Sequence, residues 1–153
     1  MSTQATPRAH RRHHVLTAVM ALTVLIAVMD VTILNVALPA LQDDLDASNA
    51  GLQWSINSYM ITYAAFIFTG GVCADRFGRK RTLIAALVIH GAASALAAMS
   101  GSVAELIAWR AALGIGAAAV PTVTLAIIVN ELPPPARPRA IAVWASTGGI
   151  ALA

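Results

Sequence analysis

The 153-residue chain is 58% hydrophobic and only 11% charged, with a net charge of +3. Soluble domains carry about a quarter of their residues as charges, so this chain lacks the polar surface to cover an apolar core in water, and a soluble globular fold is excluded. The small net charge argues against a nucleic-acid-binding role, and the single cysteine, Cys73, excludes an intrachain disulfide.

Residues 1–14 read as a basic tail with Arg8, Arg11 and Arg12. The apolar run that follows lacks a small-residue cleavage site and reads as an uncleaved span over residues 15–38, stopping at Pro39. Further apolar runs cover residues 52–74, 82–99 and 103–130. Each approaches the roughly 20 residues needed to cross a bilayer as a helix, and none alternates with the period of a barrel strand. A fifth run, 140–153, is too short to cross, so the expectation is an incomplete fifth span and an N-terminal part of a longer protein. The fold class expected is all-α and transmembrane, a partial bundle over residues 15–153.

All but one of the ten basic residues fall on one side if the spans alternate in direction: the tail, then Arg76, Arg79, Lys80 and Arg81, then Arg137 and Arg139. The opposite side carries Asp43, Asp44, Asp46 and Glu105. Basic connections stay in the cytoplasm, which puts the N-terminus there and makes the chain a multi-pass protein of the cell (inner) membrane. Trp54 suits the membrane interface, and Pro133, Pro134 and Pro135 favour an extended connection after the fourth span.

Two charges lie inside spans. Asp30 is eight residues before the outer end of the first, and Arg110 eight residues after the outer end of the fourth. At 1.5 Å per residue both sit roughly 12 Å below the outer boundary. Equal depth permits an ion pair, either as a packing contact or as a proton-coupled switch, and intramembrane charges point to function. His90 is expected to pack or bond a neighbour rather than relay protons. His10, His13 and His14 lack companion ligands for a metal site.

Gly114, Gly116 and Ala119 match a dinucleotide fingerprint by spacing, but they lie mid-helix in an apolar run without a preceding strand. Close helix packing is the better account of these small residues, with a kink at Pro121. In residues 71–81, GVCADRFGRKR, Asp75 and Arg79 are four apart and can pair, and Gly78 permits a tight reversal. No set of catalytic side chains or metal ligands clusters where water reaches, so no enzyme is expected.

At these residues the chain resembles the major facilitator superfamily, and within it the fourteen-helix drug–proton antiporters. Residues 71–81 resemble the signature loop between the second and third helices, with Gly71, Asp75, Arg76, Gly78, Arg79 and Lys80. Arg110, Gly114 and Gly116 resemble the fourth-helix motif. The stretch MDVTILNVALP at 29–39, with Asp30, Thr32, Asn35 and Pro39, resembles the first-helix motif of the fourteen-helix exporters. The resemblance implies that Asp30 and Arg110 line a central cavity and couple to protons, that Asp75 and Arg79 belong to a cytoplasmic latch, and that Asn35 and Pro39 shape the outer end of helix one. It further implies a small-molecule substrate, a proton gradient as energy source with no cofactor, and a C-terminal half that completes the transporter. A non-transporting membrane polypeptide and an importer of a sugar or metabolite stand as alternatives.

Overall fold

The computed structural model describes residues 7–150, with side chains described for 13–149. Arg8, His10, Arg11 and Arg12 therefore lie outside the described side chains. Among the described residues there is no strand. The elements are α1 (Pro7–Asp44), α2 (Asn49–Phe77), α3 (Arg79–Ala98), α4 (Val103–Glu131), a single 3-10 turn (Pro134–Ala136) and α5 (Arg137–Ile150). Four of these helices, α1 to α4, are long and apolar enough to cross a membrane.

Each helix end has a local cause. Ser48 caps α2 by accepting from the Gly51 amide at 3.2 Å. Ser102 accepts from the Glu105 amide at 3.3 Å, while the Glu105 carboxylate reaches back to the Gly101 amide at 2.9 Å. The serine thus satisfies an amide that the first turn of α4 leaves without a helical partner, and the glutamate ties down the chain just before the cap. Gly78 alone separates α2 from α3. Its φ of 93° would strain any side-chain-bearing residue, and its amide closes α2 on the Ala74 carbonyl at 3.0 Å.

Three expectations are corrected. Pro39 does not stop the first helix, which is described from Pro7 and runs on to Asp44. Proline removes one amide donor, toward the Asn35 carbonyl, but its φ suits a helix, and the chain beyond it continues helical. The triple proline is not wholly extended: Pro133 is, at φ −64° and ψ 149°, but residues Pro134–Ala136 form one tight turn. That turn is closed by the Ala136 amide on the Pro133 carbonyl at 2.9 Å. The connection between the second and third spans is a single glycine rather than a loop.

α4 is the centre of the bundle. Just over half of its most apolar window (56%) is buried within the protein, against 17–28% for the other three spans. The reason is its run of small residues. Gly114 and Gly116 are two positions apart, about 200° around a helix, and so face different neighbours. A side chain at Gly114 would collide with Tyr59 and Thr62 of α2; one at Gly116 would meet the Ala86 carbonyl and the His90 amide of α3, each at 2.8 Å. Gly70 of α2 likewise lies against Ala119 of α4, where an added Cβ would come within 2.6 Å of the Ala119 Cα. Small residues thus let three backbones approach where lipid supplies no hydrophobic drive between helices. The helix continues through Pro121. α5 joins through Trp144, whose indole N–H donates to the Thr124 hydroxyl at 3.0 Å.

The outer faces are apolar: Val36, Phe68, Val72, Val88 and Met99 are all exposed. Helices that are apolar on their outward face belong in lipid, and the chain is a multi-pass membrane protein.

Gly70→Ala is expected to lower thermal stability in detergent by about 1–3 kcal/mol through overpacking on Ala119. Gly71→Ala, whose Cβ meets nothing within 4 Å, is expected to be neutral or slightly stabilising. A melting comparison of the two variants checks the contrast.

Candidate functional site

Three helices converge on Arg110. It is 3% exposed, and its Nη1 donates to Asp30 Oδ2 of α1. Its guanidinium carbon lies 4.5 Å from the ring centroid of Tyr59 of α2, a cation–π distance that desolvation strengthens. The Tyr59 hydroxyl donates to the Ala27 carbonyl of α1 at 3.4 Å, and its ring stacks on Tyr63 at 6.1 Å between centroids. The Arg110 Nε has no hydrogen-bond partner among the described residues.

The scaffold around this cation is polar where it must be. Ser58 donates to the Ile107 carbonyl at 3.1 Å and Thr62 to the Ala111 carbonyl at 2.9 Å. Both bonds tie α2 to the turns of α4 flanking Arg110. Gly114, one turn further, holds the α2 backbone close enough for Tyr59 to cover the guanidinium. Asp30 keeps 16% of its side-chain surface exposed. One partner is thus sealed and the other retains a path to the surroundings.

The depth rule placed Asp30 and Arg110 at one height, and the structure brings them into contact. Tyr59 was missed. It lies seven residues into the second predicted span, roughly 10 Å deep, so the same counting applied to polar aromatics finds it.

The remaining predicted residues do not converge on this site. Thr32, Asn35 and Pro39 are on exposed surface of α1. The Asp75–Arg79 pair spans the Gly78 junction at 3.9 Å with an exposed carboxylate, a geometry that contributes little stability. Arg76 lies over the Phe77 ring at 5.5 Å, and Gly71 faces open space. Lys80 and Arg81 line a cleft that also includes Glu131. Asp75 is sixteen residues along α2 from Tyr59, roughly 24 Å away. The buried pair and the basic junction are two separate places. His90 packs its backbone against Gly116, and its Nδ1 has no partner among the described residues. No group of three or more metal-ligating side chains occurs among the described residues.

The sequence model of the Major Facilitator Superfamily matches residues 20–153. The chain belongs to the Major Facilitator Superfamily. Among curated relatives, it is 37% identical over 127 residues to the uncharacterized MFS-type transporter EfpA of Mycobacterium tuberculosis, covering 82% of this chain and 24% of that protein. It is 38% identical over 129 residues to the methylenomycin A resistance protein of Bacillus subtilis, covering 84% and 28%. It is 38% identical over 153 residues to the multidrug efflux pump LfrA of Mycolicibacterium smegmatis, covering 98% and 30%. The chain thus spans between about a quarter and a third of the length of these superfamily relatives.

Removing one member of a buried ion pair leaves the other charge uncompensated, at a cost of about 3–5 kcal/mol. Arg110→Gln and Asp30→Asn are each expected to destabilise the bundle, and the double variant to lose less than the sum. A double-mutant cycle of thermal melts in detergent measures the coupling.

Proposed function

We propose that the protein containing this chain exports drugs or other hydrophobic or cationic small molecules in exchange for protons, with Asp30 as the proton-accepting group. The observation that carries the reading is the Asp30–Arg110 contact between two membrane spans. Ionisable residues at such depth are expensive and mark proton or substrate paths. The names of two relatives, a resistance protein and a multidrug efflux pump, support the direction of transport and the substrate class.

The chemistry needs only a proton. As a carboxylate, Asp30 neutralises Arg110 and clamps α1 to α4. A proton reaching its partly exposed face converts the carboxylate into a neutral acid, and the ion pair is lost. Arg110 then rests on the Tyr59 ring, and α1 is free to shift relative to α4. Each pH unit of gradient supplies about 1.4 kcal/mol per proton, enough to bias two nearly balanced conformations. Substrate binding on the cavity side of α1 and α4 would be linked to this exchange, with no cofactor taking part. In this reading Asp75 and Arg79 act as a latch at the cytoplasmic end, and alternating access requires a second half rocking against this one.

The positive-inside distribution orients the bundle with its N-terminus and the Gly78 junction in the cytoplasm of a cell membrane. In a Cys73→Ser background, Lys80→Cys is expected to resist a membrane-impermeant maleimide in intact cells and to react after permeabilisation. Labelling of intact cells would reverse the orientation.

Dye efflux from cells or vesicles expressing the full-length gene is expected to follow an imposed pH gradient and to collapse with a protonophore. Asp30→Asn, which mimics the protonated acid, is expected to abolish gradient-driven efflux while leaving protein in the membrane. Efflux that ignores the gradient, or persists in Asp30→Asn, would refute coupling through this residue.

A further inference from the structure

We propose that the α2–α3 side of the bundle holds one anionic phospholipid, with an acyl chain in an apolar groove and its phosphate on Arg81 and Lys80. Two cavities meet there, sharing Phe77 and Arg81 in their walls. The first, of about 350 Å³, runs between α2 and α3 over α4, with Phe66, Cys73, Ala85 and Ile89 among its walls. The second, of about 620 Å³, lies at the end of the bundle, lined by Asp75, Arg79, Lys80, Arg81 and Glu131. An apolar groove that opens into a charged cleft at a helix end has the layout of an amphiphile.

Length and charge agree with that occupant. From Phe66 to Phe77 the groove follows eleven residues of α2, roughly 16 Å. Half of a hydrocarbon core of about 30 Å is the depth of one leaflet, so the groove reaches from the basic surface to the midplane. The cleft carries three basic side chains against two acidic ones, and Arg79 already faces Asp75 at 3.9 Å. Lys80 and Arg81 then stand against Glu131 alone, which leaves a surplus of one positive charge, and Arg81 stands at the mouth of the groove. A soluble phosphate would meet the charges but leave the apolar channel unfilled; a neutral lipid would fill the channel and leave the charges. A lipid with a net negative headgroup satisfies both. The site draws on membrane-crossing helices and a basic helix end, and it does not depend on proton exchange.

Native mass spectrometry of the full-length transporter, purified in mild detergent and mixed with phosphatidylglycerol or phosphatidylcholine of the same chains, counts the retained lipids. The wild type is expected to retain phosphatidylglycerol in preference. Arg81→Gln is expected to lower that retention about fivefold, the worth of one basic residue at a membrane surface, while Arg81→Lys preserves it. Ala85→Trp, with Ala85→Leu as a milder filler, is expected to displace the lipid by occupying the groove with every charge intact. Equal retention of the two lipids, or undiminished phosphatidylglycerol in Arg81→Gln, overturns the proposal. So does undiminished retention in both groove-filling variants, which would mean headgroup attraction alone or a groove covered by another helix of the transporter.

Discussion

A guanidinium enclosed by apolar helices has to be neutralised where it stands, and the arrangement of α1, α2 and α4 follows from that need. Arg110 is nearly inaccessible, so water cannot solvate it. Asp30 supplies the countercharge from α1 and Tyr59 supplies a π face from α2. In hydrocarbon such a charge alone is strongly unfavourable, so the three helices cannot separate without exposing it. The contact therefore ties α1 to the α2–α4 pair.

The frame around Arg110 depends on closely approaching backbones. Gly114 and Gly116 open opposite faces of α4 to α2 and α3, and Gly70 answers from the α2 side against Ala119. Ser58 and Thr62 then bind carbonyls of α4 on either side of Arg110. Packing by small residues and hydrogen bonding by short hydroxyls replace the hydrophobic drive that a bilayer does not provide. The ion pair is thereby set into a rigid frame on the α2–α4 side, while α1 is held on its outer edge.

The bundle has two unlike ends. One bears acidic residues on the extension of α1 and Glu105 at the start of α4; the other gathers Arg76, Arg79, Lys80 and Arg81 around the Gly78 junction. This asymmetry gives the basic end a chemistry of its own, remote from the buried pair.

Much of this was legible in the residues alone. Hydropathy over windows of about 20 residues depends only on local composition, so the four spans, the placement of charges and the depths of Asp30 and Arg110 could be counted directly. Helix ends were less legible: Pro39 reads as a stop, yet losing one amide donor does not end a helix whose neighbours keep bonding. The depth of Tyr59 can be counted in the same way, but its role cannot, because an aromatic in an apolar run looks like any other lipid-facing side chain until a partner is placed beside it. The sequence by itself determined that the helices cross a membrane, which ends are basic, and that one acid and one base lie at a common height, since each is a property of a single segment and its axial rise. Only the tertiary structure decided that the acid and base touch, that Tyr59 covers the cation, and that Gly114 and Gly116 turn to different neighbours. Those outcomes depend on the rotation of each helix about its axis, which is settled by packing between segments far apart in the chain.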